Sequence, residues 1–549
     1  MANSSSTLVE TREEENAHLF VLVHGLWGSP NHMHTIERFL KDLIPSVSNE
    51  KIAILKPSSF RFWKTYDGLE LNSQKIIAEI FYEIETLKQK NNYNVTKISI
   101  IGYSLGGLLS RYVIGILEEI GFFDKVEPIF FTTFATPHVG VQFFAKNIFD
   151  NTANRLGPYL FGPSGLQLFV KDTEKALRVM ADPSKRYYQG LKRFQKHILL
   201  ANVRNDRTVA FFTSYITEYS PFDDWRSVKI KYLKNLPEIK VGTVQTRPKF
   251  VDLTRSHVLS TEAVKTFEGN TQEDTSFLRS NRIVKILVVL VLASFFLPFW
   301  IPLVLSTSVY VSIYSMIKIR FITRPQVDKH WAKVRDTVYG SAPVDPKDAK
   351  IGEEQRNMRA KLARQESFKG DTSRMTGNAM ENMLYAESRF VAKNSQFKDD
   401  EEAARGSVEA ANQYEGRDDD EDDDGVDGEM TSIVSVKNNQ RIVSVNIEAN
   451  DSIVNTHLAT LKLKDYERFP LFTPKAKLEM DEDKLYIIKS LNKLDWVKIP
   501  VYLDCWNAHD GIVSRKGPRS NARGTSTIGL WCSVLRNHLK ETFVSEDQN

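Results

Sequence analysis

The chain alternates short apolar runs with amphipathic stretches. "HLFVLVHG" (His18 to Gly25) is an apolar run closed by a glycine, and "NHMHTIERFLKDLI" after it has helical spacing. "KIAILKPS" reads as a second strand, and "LNSQKIIAEIFYEIETLKQK" sets Ile76, Ile77, Ile80, Ile84 and Leu87 on one helical face. A β-branched run (Ile98, Ile100, Ile101) predicts a buried strand, followed by a helix in "LLSRYVIGIL". "EPIFFTTFATPHVG", "KHILLANVRNDRTV" and, much later, Trp496 to Leu503 in "WVKIPVYLDCWNAHDGIVSR" add three more strands. Strands that alternate with helices predict an α/β fold, a mostly parallel sheet with helices on both faces. Functional groups in such sheets gather at the carboxyl ends of the strands.

One turn at such an end has unusual chemistry. Gly102, Tyr103, Ser104, Leu105 and Gly106 fit G-x-S-x-G between a predicted strand and a predicted helix. The glycines leave room for a strained turn that lifts the Ser104 hydroxyl above the sheet, and the helix behind it supports developing negative charge. An incidental serine in a glycine-rich turn would match the same five letters; the flanking strand and helix favour the nucleophile. A nucleophilic serine also needs an oxyanion hole, a base and an orienting acid. In "VLVHGLWGSP" the backbone N–H of Leu26 is placed to meet that of Leu105 at an oxyanion. His24 precedes the serine, which suits a structural role better than that of base, because the expected order is serine, acid, histidine.

For the acid, Asp206 in "NDRTV" lies just past a strand, whereas Asp223 and Asp224 in "PFDDW" follow none. For the base, His509 follows the strand at Trp496 to Leu503. His257 and His330 flank an apolar segment, His457 lies in an irregular stretch, and His538 sits on a terminal amphipathic helix. His138 in "ATPHVG" reads as a residue that shapes its loop. The motifs "HLFVLVHGLWGSP", "GYSLGG", "ATPHVG", "NDRTV" and "AHDGIVSR", in that order, resemble the fungal serine esterase family of α/β-hydrolase lipases, which includes the yeast lipid-droplet phospholipase and acylglycerol lipases. The likeness covers about Ala17 to Ser220 and Asp495 to the C-terminus. It implies Ser104 as nucleophile, Asp206 as acid, His509 as base and an α/β-hydrolase fold, and it leaves open which ester is cut.

The middle of the chain changes the picture. Ile286 to Ile317 carries no charge over 32 residues, and Pro298 and Pro302 split it into arms of 12 and 15 residues. At ~1.5 Å per residue neither arm spans a hydrocarbon core of ~30 Å. Arg279, Arg282 and Lys285 precede the segment and Lys318, Arg320 and Arg324 follow it, so both ends favour the cytosolic face. Ser104 and Asp206 precede it and His509 follows, so a single crossing would part the base from the nucleophile. A hairpin that dips into one leaflet is expected instead, on the endoplasmic reticulum membrane or a lipid-droplet monolayer, with the catalytic part facing the cytosol.

Composition adds a charge asymmetry. The net charge is +4, yet Asp399 to Met430 carries −13, so the rest carries +17, which suits an anionic surface. Two cysteines, Cys505 and Cys532, exclude a disulfide framework and fit a reducing compartment; the polar, acidic start reads as neither signal nor transit peptide. The expected organisation is a flexible 1–16, a first part of the hydrolase core at 17–275 with a cap at 139–170, a membrane hairpin at 286–317, a disordered acidic insert at 329–430, and the rest of the core at 431–549. No cofactor, metal or nucleic acid is expected. The substrate expected is a glycerophospholipid, with a mono- or diacylglycerol as the alternative. A non-catalytic membrane scaffold that kept the fold is the competing class.

Overall fold

The apolar runs become strands of one sheet. A computed structural model of the chain describes residues 14–144, 147–234, 236, 239–241, 244–259, 332–339, 443–445, 469–518 and 520–546, together with the isolated positions Pro302, Ser306 and Tyr310. Apart from those isolated positions, the apolar segment 286–317 lies outside the described residues. So do residues 1–13 and, except for 332–339, the expected acidic insert. Among the described residues no helix is long and apolar enough to cross a membrane.

In chain order the main strands are β1 (Glu15–Val23), β2 (Lys51–Leu55), β3 (Tyr93–Tyr103), β4 (Glu127–Phe134), β5 (Lys196–Asn202), β6 (Lys249–Phe250) and β7 (Trp496–Tyr502). They form one seven-stranded sheet in the order β2-β1-β3-β4-β5-β7-β6, parallel throughout except for the short β6 at the edge. The chain leaves β1 toward β2 on one side, then returns to lay β3 on the other. The switch point therefore falls between the carboxyl ends of β1 and β3, where parallel sheets open a crevice.

Helices cover both faces because both faces are apolar. On one side lie α2 (Leu69–Asn91) and α3 (Leu105–Glu119), packed on Leu19, Val21, Ile98, Ile100 and Phe131. On the other lies α1 (His34–Leu43) with a C-terminal helix at Ala522–Glu546, over Phe20, Leu22, Ile101, Phe130 and Phe134. Between β4 and β5 the chain adds α4 (Ile148–Leu160) and α5 (Gly162–Leu168), then two short helices, α6 (Ala176–Ala181) and α7 (Arg186–Lys192). The acid loop after β5 leads into α8 (Phe211–Tyr215), and β7 is preceded by α9 (Glu482–Leu491) and followed by α10 (Ala508–Gly511). The C-terminal helix at Ala522–Glu546 is α11.

The expected insert starts too early. Residues 332–339 pack on the core: Val334 is buried, the Tyr339 hydroxyl donates to the Val95 carbonyl at 2.9 Å, and Lys333 pairs with Glu85. Val334, Val338 and Tyr339 give this short piece enough apolar surface to pack, although the sequence around it is polar.

Candidate active site

Close packing of glycines makes the turn at Ser104. A Cβ added to Gly102 would lie 2.4 Å from the Gly107 Cα, and one added to Gly106 would lie 2.2 Å from the Val23 carbonyl oxygen. Only glycine permits that approach, and it presses the start of α3 against the end of β1. Ser104 itself sits at φ 55°, ψ −128°, a region that costs a non-glycine residue on the order of 1–3 kcal/mol. Its backbone N–H is held by the Phe134 carbonyl at 2.9 Å, which fixes the turn to β4.

His509 and Asp206 reach this serine from two further strand ends. His509 stands on α10, and its Nε2 is 3.0 Å from Ser104 Oγ. Its Nδ1 lies 3.0 Å from Asp206 Oδ2. The other acceptor sites of Asp206 are also filled: Oδ1 accepts from the Thr208 and Val209 backbone N–H groups at 3.0 and 2.8 Å, and Oδ2 from Asn202 Nδ2 at 2.8 Å. Burial opposes the charge on Asp206, but His509, the Val209 N–H and Asn202 outweigh it and hold the carboxyl below the usual carboxylate range.

The acid loop and the base helix are also tied to each other. Asn202 Nδ2 donates to the Ala508 carbonyl at 3.1 Å, and the Ala508 N–H donates to the Asn205 carbonyl at 3.0 Å. Tyr103, next to the serine, lies with its ring 5.0 Å from the His509 ring and donates its hydroxyl to the His509 carbonyl at 3.1 Å. The same hydroxyl reaches Asp510, which is paired with Arg515 at 3.0 Å. Burial, then the Asp510 charge, push the Tyr103 phenol well above its ordinary value, so it stays a donor. Sequence reasoning did not single out Asn202, Tyr103, Asp510 or Arg515. Position was the available signal for two of them: Asn202 closes β5 before the acid loop, and Tyr103 lies inside the serine motif.

The turn after β1 faces the serine. A Cβ on Gly25 would lie 2.7 Å from Ser104 Cβ. The Gly25 carbonyl accepts from the Gly28 N–H at 3.0 Å and lies 3.0 Å from His24 Nδ1. That carbonyl shares a planar trans peptide with the Leu26 N–H, which must therefore point the other way. His24 is fully buried, stacks on Phe60 at 4.1 Å, and burial lowers its pKa to about 3, so it is neutral and donates from Nδ1.

The remaining candidates lie elsewhere. His138 is buried and its Nε2 is bonded to Thr133 Oγ1, near the end of β4, at 2.9 Å. Asp223 accepts from Ser220 Oγ at 2.7 Å, Asp224 is exposed in a turn, His257 is exposed, and His538 contacts Gln195 at 2.8 Å. His330 and His457 lie outside the described residues. Among the described residues no group of three or more His, Cys, Asp or Glu could hold a metal ion.

A sheet of this order, with a serine after β3, an acid after β5 and a histidine after β7, is the arrangement of an α/β-hydrolase. Residues 13–217 match the family model described as "Putative serine esterase (DUF676)", so the resemblance read from the motifs holds over that segment. Among similar proteins, "Putative lipase C4A8.10" of Schizosaccharomyces pombe is 29% identical over 210 residues, 36% of this chain and 26% of its own length. "Putative lipase ROG1" of Saccharomyces cerevisiae is 26% identical over 215 residues, 37% of this chain and 29% of its own length. The chain thus spans less than a third of the length of these relatives. A solved carboxyl esterase 2 of Tuber melanosporum is 15% identical, with a TM-score of 0.23, over 34% of this chain and 58% of its own. So distant a likeness adds no weight to the assignment, which stands on the sheet order and the site.

Proposed function

We propose that this chain is a serine hydrolase of carboxylic esters, with Ser104 as nucleophile, His509 as base and Asp206 as orienting acid. The observation that carries the reading is the continuous hydrogen-bonded line from Asp206 through His509 to Ser104, with both links at 3.0 Å. It brings together residues more than 400 positions apart in the sequence.

In this reading His509 Nε2 takes the Ser104 proton while Oγ attacks the ester carbonyl, and Asp206 accepts from Nδ1–H and stabilises the imidazolium. The Leu26 and Leu105 N–H groups receive the tetrahedral oxyanion. Loss of one such donor costs ~10²–10³ in rate. The imidazolium then protonates the departing alcohol, and water, activated by the same histidine, cleaves the acyl-enzyme. No step calls for a metal or organic cofactor.

The substrate we assign is a lipid ester at a surface, a glycerophospholipid. The segment at 139–170 acts as a cap over the acyl-chain site: Phe144 packs on Phe212 beyond the acid loop at 5.3 Å, and Phe161 packs on Tyr66 near the oxyanion turn at 5.8 Å. The outward side of α4 leaves Ile148, Leu156 and Tyr159 exposed, Ile148 at 87%. The uncharged 286–317 segment with its basic flanks supports attachment to one leaflet or to a droplet monolayer, with the site facing the cytosol. The relatives' names support a lipase.

A fluorophosphonate probe tests the chemistry. Wild type should label at Ser104 and hydrolyse a short-chain ester; Ser104→Ala should do neither while it stays folded. Asp206→Asn should lower kcat by about 10⁴, because the wrong histidine tautomer is held. A folded wild-type protein that is neither labelled nor active would support the scaffold reading instead.

A further inference from the structure

We propose that Thr65 is a positioning residue for the oxyanion turn, and that Ser164 of the cap fixes Thr65 in turn. The inference rests on the serine-hydrolase reading and adds to it a physical link from cap to oxyanion hole.

The turn that carries the Leu26 N–H is strained one residue later. Trp27 sits at φ 53°, a left-handed conformation that a bulky side chain adopts only under constraint. Its backbone N–H donates to Thr65 Oγ1 at 3.1 Å, and its indole N–H donates to the Tyr66 hydroxyl. The Phe62 N–H, from the same short 3₁₀ segment Phe62–Tyr66, donates to the Gly28 carbonyl at 3.1 Å. The oxyanion turn is thus clamped by residues 62–66 rather than by the sheet.

Thr65 has the polarity this clamp needs. Its hydroxyl hydrogen is committed to the Phe62 carbonyl at 2.6 Å, so its oxygen faces Trp27 only as an acceptor. Ser164, on α5, donates to the Thr65 carbonyl at 2.7 Å and accepts from the Gly68 N–H at 3.0 Å. Both hydroxyl residues are fully buried, so water cannot take over either bond. Without the Thr65 hydroxyl, Trp27 is free to relax toward negative φ. The 26–27 peptide would then rotate, the change would pass through Leu26 Cα to the 25–26 peptide, and the Leu26 N–H that this second peptide carries would leave its line to the oxyanion.

Steady-state kinetics on a soluble short-chain ester test this link. Thr65→Val keeps the side chain's shape and removes the acceptor; kcat should fall about tenfold with KM within about twofold, less than the full loss of an oxyanion donor. Thr65→Ser should restore most of kcat, which a packing role would not predict. If Thr65→Val is too unstable to purify, Ser164→Ala carries the test with its own smaller loss of kcat at unchanged KM, restored by Ser164→Thr. Where both variants fold, the double variant should lose less than the product of the two single losses, because both act through one contact. Unchanged kcat in a folded Thr65→Val, failure of Thr65→Ser to restore it, or independent losses would overturn the link. A wild type that neither labels nor hydrolyses would instead overturn the underlying hydrolase reading.

Discussion

Two buried charges illustrate how single residues shape this protein. Asp206 has every acceptor site answered and sits below its ordinary pKa, so it stays ionised where the proposed chemistry needs a carboxylate. Lys498 on β7 is answered by neutral acceptors, Asn492 Oδ1 at 2.8 Å and the Ile216 carbonyl at 3.2 Å, and burial lowers its pKa from 10.5 to about 7. Between those two values the unfolded chain holds a proton that the folded chain has released. The unfolding free energy therefore rises as pH increases from about 7 toward 10.5, by at most ~1.4 kcal/mol per unit. Lys498→Met removes this slope. Urea melts at pH 7 and pH 9 should show the wild type gaining stability relative to the variant; parallel behaviour would mean that Lys498 is not depressed.

At the scale of elements, helix α4 has an unequal pair of faces. Asp150 and Gly157 turn inward, where a Cβ on Gly157 would lie 2.7 Å from the Phe169 ring, while Ile148, Leu156 and Tyr159 face solvent. Exposed apolar side chains set eight and then three residues apart make a stripe suited to a lipid surface. Ile148→Asp combined with Leu156→Asp should leave the fold and kcat on a dispersed short-chain ester unchanged. Vesicle co-sedimentation and long-chain ester turnover should both fall several-fold. Equal vesicle binding in the pair variant would remove α4 from the docking face. The periodicity of α1 and α2 was legible in sequence because each buries one apolar face against the sheet, whereas α3 is buried on nearly every side and was legible as a helix from its place after the glycine turn. The segment proposed as a cap was legible only as a glycine- and proline-broken apolar stretch, because its contacts with Phe212 and Tyr66 are made across loops that no local period encodes.

For the whole molecule, chain connectivity constrains how the proposed anchor can coexist with the site. Because Ser104 and His509 lie on opposite sides of 286–317 in sequence yet 3.0 Å apart in space, both ends of that segment must emerge on one face of any membrane it enters. Deletion of 286–317 should release the protein to the soluble fraction, since even partial burial of 32 such residues at ~25 cal/mol per Å² outweighs the pull of the basic flanks. Soluble-ester activity should persist. In the intact protein, tags at both termini should be cleaved by protease added to the cytosolic face; protection of one tag would contradict the assembled site.

The sequence by itself determined the strand and helix periodicities, the glycine-framed Ser104 and the order serine, acid, histidine. Each of these is local, or depends only on the succession of local patterns. The tertiary structure alone decided which side chains serve them. Asn202, Tyr103 and the Asp510–Arg515 pair acquire their places because parallel pairing brings the ends of β3, β5 and β7 to one edge. Trp27 is held at positive φ by Thr65, 38 positions away, and Thr65 by Ser164, a further 99. Such contacts leave no trace in composition or period, because they depend on where strands from distant parts of the chain end against one another.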